Sequence, residues 1–127
     1  MSNPKPLALV VEDDPIQAEI FVEAISQSGY EVAHIDRGDA AIAYLDNHSP
    51  HLVLLDLHLP EVAGTTILQY IREQPHLSHT RVVLASADPR MAELAREDSD
   101  LVLIKPISFN QLRFLSQRML PDTQTDA

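Results

Sequence analysis

Cysteine is absent from the 127 residues, so neither a disulfide nor a thiolate metal site supports this fold. No apolar stretch approaches the roughly 18 residues of a membrane-crossing helix, and the N-terminus lacks a secretion signal; the expectation is a soluble, cytoplasmic protein. Basic side chains are scarce, nine Lys and Arg against nineteen Asp and Glu for a net charge of −10, and they do not cluster. That balance argues against binding to phosphate backbones or anionic lipid. There is no GxGxxG or P-loop pattern to cradle a nucleotide. Internal repeats and low-complexity segments are also missing. The length suits one domain, expected across residues 1–127, with a core from about 6 to 120 and a short polar tail at 121–127.

What is present is a regular alternation. Five short apolar runs, Leu7 to Val11, Glu31 to Ile35, Leu52 to Asp56, Arg81 to Ser86 and Leu101 to Lys105, have strand length. The first, third and fifth are almost continuously apolar, as expected of parallel strands covered on both faces. Helical spacing fills the intervals. Asp14 and Pro15 suit the cap and first residue of a helix bearing Ala18, Phe21 and Ile25 on one face and ending before Gly29. Further helices are expected around Ala40 to Leu45, Thr65 to Glu73, Pro89 to Arg96 and Ser108 to Met119. Strand and helix alternating five times predicts an α/β three-layer sandwich on a parallel sheet.

In such a sheet the strand C-termini share one edge, and ligands bind there. The unusual residues of this sequence fall at that edge: Glu12 and Asp13 after the first run, Asp56 ending the third, Ser86 ending the fourth, and Lys105 ending the fifth. Two carboxylates about 5 Å apart repel by roughly 3 kcal/mol at an effective dielectric near 20. A cation must offset that. Lys105 supplies part of it, and an all-oxygen pocket suits a hard divalent ion, Mg²⁺ where phosphate is involved. Asp56 is then placed as a nucleophile able to hold a phosphoryl group as an acyl phosphate.

These residues carry a resemblance. "LVVEDDP" around Glu12 and Asp13, "LVLLDLHLPEVAG" around Asp56, "VVLASA" around Ser86 and "LIKPI" around Lys105, in that order at strand ends, resemble the receiver domain of two-component response regulators over about Pro6 to Leu120. The resemblance implies a flavodoxin-like fold with strand order 2-1-3-4-5. It implies Asp56 as phosphoacceptor, Asp13 as a direct Mg²⁺ ligand, Glu12 acting through metal-bound water, and the backbone carbonyl of His58 completing the metal site. Ser86 would hydrogen-bond the phosphoryl group and Lys105 would pair with it. The donor would be a sensor histidine kinase or a histidine phosphotransfer protein, and a downstream protein would read the switch.

Some positions depart from the family pattern. Val102 stands where an aromatic residue often precedes the lysine by three, Ala63 stands where an aspartate often precedes the loop glycine, and the segment from Ala87 to Asp100 is short, which shortens the fourth helix. His58 and Asp88 lie two residues after Asp56 and Ser86, where the family tunes water attack on the phosphoryl group. Independently of the resemblance, Leu112, Leu115 and Met119 share the core face of the last helix while Phe114 points away, which marks it for a partner or homodimer surface. Two other readings remain open: a haloacid-dehalogenase-like phosphohydrolase, weakened because Asp56, Leu57, His58 lacks a second acid, and a pseudo-receiver that only binds. His48, His51, His76 and His79 fall in predicted loops without a third ligand, against a histidine metal site.

Overall fold

The computed structural model describes residues 4–121. Five strands, β1 (Leu7–Val11), β2 (Glu31–Ile35), β3 (Leu52–Asp56), β4 (Arg81–Ser86) and β5 (Leu101–Ile104), form one parallel sheet in the order β2-β1-β3-β4-β5. Five helices connect and follow them: α1 (Pro15–Gln27), α2 (Gly38–Asn47), α3 (Gly64–Glu73), α4 (Pro89–Ala95) and α5 (Phe109–Arg118). Single 3₁₀ turns at Pro75–Leu77 and Arg96–Asp98 finish the α3 and α4 connections. The polar tail beyond Pro121 lies outside the described residues.

Alternation along each strand divides the core. Leu9, Val11, Val53, Leu55, Val82 and Leu84 face α2, α3 and α4, where Leu45, Ile67 and Ile71 meet them. Ala8, Val10, Leu52, Leu54, Val83, Ala85 and Leu103 face α1 and α5, against Phe21, Ile25 and Leu112. β1 and β3 are buried almost throughout, as their apolar runs require. β5 corrects the sequence reading: it is an edge strand, one residue shorter than expected, and Ile104 stands 42% exposed. A continuous apolar run is therefore not proof of cover on both faces.

The helix ends follow their capping residues. Asp14 accepts from the Ile16 and Gln17 N–H groups at the start of α1, and Ser108 accepts from Gln111 at the start of α5. α1 closes at Ser28, and Gly29 turns the chain with φ +117°, a conformation that disfavours any other residue. α2 starts at Gly38, two residues before the expected start, with no side-chain cap to announce it. The buried Tyr30 hydroxyl donates to the Ser116 carbonyl at 2.9 Å, tying the turn after α1 to α5. Replacing Tyr30 with Phe removes that bond without a large cavity, so urea denaturation should show a loss of about 1 kcal/mol. Unchanged stability would dismiss the tie.

Candidate functional site

Strand register assembles the pocket. Val10 pairs with Leu54, so the next in-phase neighbours along β1 and β3 are Glu12 and Asp56. Both continue the strand face that carries Ala8, Val10, Leu52 and Leu54. Leu103 lies on that same face, and Lys105, two residues on, shares it. Three separate strands thus deliver two carboxylates and one ammonium to one spot. The Lys105 Nζ donates to Glu12 Oε1 at 3.1 Å and to Asp56 Oδ2 at 3.3 Å. Glu12 and Asp56 are nearly inaccessible to solvent, at 1% and 3%.

The remaining bonds fix each carboxylate. The Asp14 N–H donates to Glu12 Oε2 at 3.2 Å, and the His58 N–H donates to Asp56 Oδ1 at 3.0 Å. Asp13 is exposed beside them, and ligand oxygens of Glu12, Asp13 and Asp56 lie within 4.8 Å of one another. Burial pushes the Glu12 pKa up to about 7, with the neighbouring Asp56 adding to the rise against the lowering hydrogen bonds from Asp14 and Lys105. Burial pulls the Lys105 ammonium the other way, but Glu12 and Asp56 outweigh it and hold its pKa above the ordinary lysine value.

Charge decides what this pocket can take. One ammonium faces three carboxyl groups, and Asp13 has no ion-pair partner among the described residues. The donor set is oxygen only, with Asp13 at the open side. Those properties fit a hard divalent cation such as Mg²⁺.

Ser86 closes β4 and is fully buried, but it sits on the other strand face, in phase with Val82 and Leu84. Its hydroxyl engages the Asp88 backbone and His58 Nε2 rather than Asp56. Backbone bonds still join it to the pocket, since the Lys105 N–H donates to the Ser86 carbonyl at 2.8 Å and the Leu57 N–H to the Ala85 carbonyl at 3.0 Å. Lys105 and Pro106 are joined by a cis peptide bond. The Asp88 carboxylate caps α4 by accepting from the Arg90 N–H at 2.9 Å.

Gly64 is a further residue of the site that the sequence does not announce. A Cβ there would come within 2.5 Å of the Asp56 carbonyl oxygen and 2.6 Å of the Leu57 Cα, so the first turn of α3 can press on the backbone of Asp56 only as glycine. The signal available was the glycine after the loop, whose neighbour in space no spacing rule identifies. Two of the loop histidines have other partners: His48 stacks on Tyr44 at 3.9 Å between ring centroids, and His76 bonds the Leu45 carbonyl. Among the described residues, no histidine joins the acidic cluster. Phe114 is 57% exposed, with the Arg118 guanidinium 5.6 Å from its ring centroid.

An open parallel sheet of this strand order, with an oxygen-rich pocket where the order reverses between β1 and β3, defines a flavodoxin-like protein. Residues 8–115 match the response regulator receiver domain, and the chain belongs to that family, the receiver domains of two-component systems. It is 26% identical over 122 residues to the two-component response regulator ORR3 of Oryza sativa, covering 93% of both chains. A response regulator receiver domain (CheY-like) from Methylobacillus flagellatus superposes with a TM-score of 0.81 at 27% identity, over 91% of this chain and 98% of the other. The response regulator TrrA of Thermotoga maritima shares the fold with a TM-score of 0.80 at 24% identity, over 91% of this chain and 99% of that one. No helix among the described residues is long and apolar enough to cross a membrane.

A group whose folded-state pKa lies above its unfolded value holds its proton more tightly when folded, so its contribution is full below the unfolded pKa and declines as pH rises through the folded one. Glu12, at about 7 folded against 4.5, makes the metal-free chain lose stability across that window. Relative to Glu12→Gln, the parent should lose on the order of 2 kcal/mol between those limits in urea denaturation, and Mg²⁺ should restore part of it above pH 7. A parent that gains stability relative to the variant over the same range would contradict this assignment.

Proposed function

We propose that the chain is a phosphorylation switch in which Asp56 accepts a phosphoryl group from a phosphohistidine of a sensor kinase or phosphotransfer protein, in a Mg²⁺-dependent reaction in the cytoplasm. The observation that carries the reading is the convergence of Glu12, Asp13 and Asp56 oxygens within 4.8 Å, with Lys105 bonded to two of the three. Asp56 Oδ forms the bond to phosphorus while the bond from phosphorus to the donor imidazole breaks, and the electron pair leaves with the imidazole nitrogen. Asp13, Asp56 and the His58 backbone carbonyl would hold Mg²⁺, with Glu12 beside them. When bound, the ion neutralises charge on the phosphoryl oxygens. The TrrA structure, solved with Mg²⁺ and beryllofluoride, is a precedent within the same fold.

This chain's own groups do the rest. Lys105 moves its charge from the paired carboxylates to the phosphoryl oxygens as they arrive, so the protein assists its own modification. The Ser86 hydroxyl turns toward the same oxygens once they are in place. The Gly64 contact and the His58 N–H keep Asp56 from swinging out of line. An apolar groove of about 510 Å³ beside Lys105, lined by Ile20, Phe21, Pro106 and Ile107, gives the donor protein a place to rest its own apolar surface.

Incubation with acetyl phosphate and Mg²⁺, followed by intact-mass analysis, tests the reading. The parent should gain one phosphoryl group, and Asp56→Asn should gain none. Lys105→Met should lower the yield at least tenfold, since it removes the ammonium that contacts Asp56. Many turnovers of a generic phosphate ester would instead favour a phosphohydrolase, and no modification at all a binding-only module.

The downstream partner or a second copy of the chain docks across the exposed ring of Phe114. Phe114→Ala should leave the acetyl-phosphate yield within twofold of the parent and abolish any phosphorylation-dependent association seen by sedimentation. Association unaffected by the substitution would remove Phe114 from the output surface.

A further inference from the structure

The Ser86 hydroxyl is fully committed before any phosphoryl group arrives. It has one proton to give and two lone pairs to fill. It donates to the Asp88 carbonyl at 3.1 Å, accepts from the Asp88 N–H at 3.0 Å, and meets His58 Nε2 at 3.2 Å. The first two bonds belong to the local turn that starts α4. The third crosses from the β3–α3 loop to the end of β4 and comes from the residue whose own N–H holds Asp56 Oδ1. His58 therefore touches the acceptor through its backbone and the switching hydroxyl through its ring.

We propose that the His58 imidazole is a positioning residue, a latch that holds the Ser86 hydroxyl in its resting orientation and must be released for the hydroxyl to reach a group on Asp56. Strand phase supports this. Ser86 continues the face of Val82 and Leu84, whereas Asp56 continues the face of Leu52 and Leu54, so the hydroxyl has to rotate away from its three resting partners to cross the strand end. Two of those partners are Asp88 backbone groups that side-chain replacement leaves in place. Among the described residues the ring is the one restraint contributed by a side chain, and it is set on an exposed residue whose truncation leaves the core intact. Because Asp88 also caps α4 through its carboxylate, release of Ser86 loosens the turn from which α4 starts.

The latch rests on the phosphoacceptor reading, and the experiment separates the two. Beryllofluoride binding in the presence of Mg²⁺, measured by calorimetry at one fixed pH, is compared for the parent, His58→Ala, His58→Gln, Ser86→Ala and the His58→Ala, Ser86→Ala double variant. Side-chain changes at His58 leave its backbone carbonyl and N–H in place. His58→Ala should bind beryllofluoride roughly 2- to 10-fold more tightly, the range for one lost hydrogen bond in the resting state. His58→Gln, with an amide nitrogen near the position of Nε2, should return to the parent value, and in the Ser86→Ala background His58→Ala should have no effect. In the metal-free chain, Ser86→Ala should move the His58 ring nitrogen resonances. Equal or weaker binding by His58→Ala, an effect that persists without Ser86, or unmoved ring resonances would overturn the latch while leaving the phosphoacceptor reading intact. A parent that binds no beryllofluoride would overturn both.

Discussion

One ammonium holds the pocket together. Lys105 reaches Glu12 and Asp56 at 3.1 and 3.3 Å from a strand that pairs with neither β1 nor β3, and without it two buried carboxylates would face each other uncompensated. The strand ends leave the arrangement under-neutralised: three acidic groups, the exposed Asp13 at the mouth among them, face one base. Burial leaves Glu12 reluctant to ionise, with a pKa of about 7. A pocket with three carboxyl groups and one ammonium fits a divalent cation.

Much of this was legible in the sequence because parallel sheets write themselves plainly. The apolar runs of β1, β3 and β4 match the strands residue for residue, and Asp14 with Pro15 marks the start of α1. The pocket was legible as well, since strand ends at one edge must come together, and alternation puts Glu12, Asp56 and Lys105 on one face. What escaped depends on contacts with no period. The Tyr30 to Ser116 bond spans 86 residues, and Arg72 gathers the Asp98 carbonyl, the Thr80 carbonyl and Asp100 through geometry that no spacing encodes. Neither the close approach of Gly64 to Asp56 nor the exposure of Ile104 leaves a trace in a hydropathy pattern.

The short α4 region shows how a departure is accommodated. Seven helical residues and one 3₁₀ turn span from Asp88 to β5, and Arg72 from α3 ties the end of that turn to the start of β4 and β5. Asp100 adds a bond to the Val82 N–H at 2.7 Å, so the connection is anchored at its far end and hinged at Ser86 and Asp88 at its near end. Val102 packs into the core beside it and offers no ring to swing. On the outer side of α4, Leu94 faces solvent.

A crystal structure of the chain grown with Mg²⁺ and beryllofluoride tests whether Asp56 is the acceptor. Beryllium should be bonded to a carboxylate oxygen of Asp56, with Mg²⁺ held by Asp13 and Asp56 and Lys105 withdrawn from Glu12 to contact a fluoride. Beryllofluoride located elsewhere, or an Asp56 carboxylate still paired to Lys105 with Mg²⁺ bound outside the acidic cluster, would contradict that assignment.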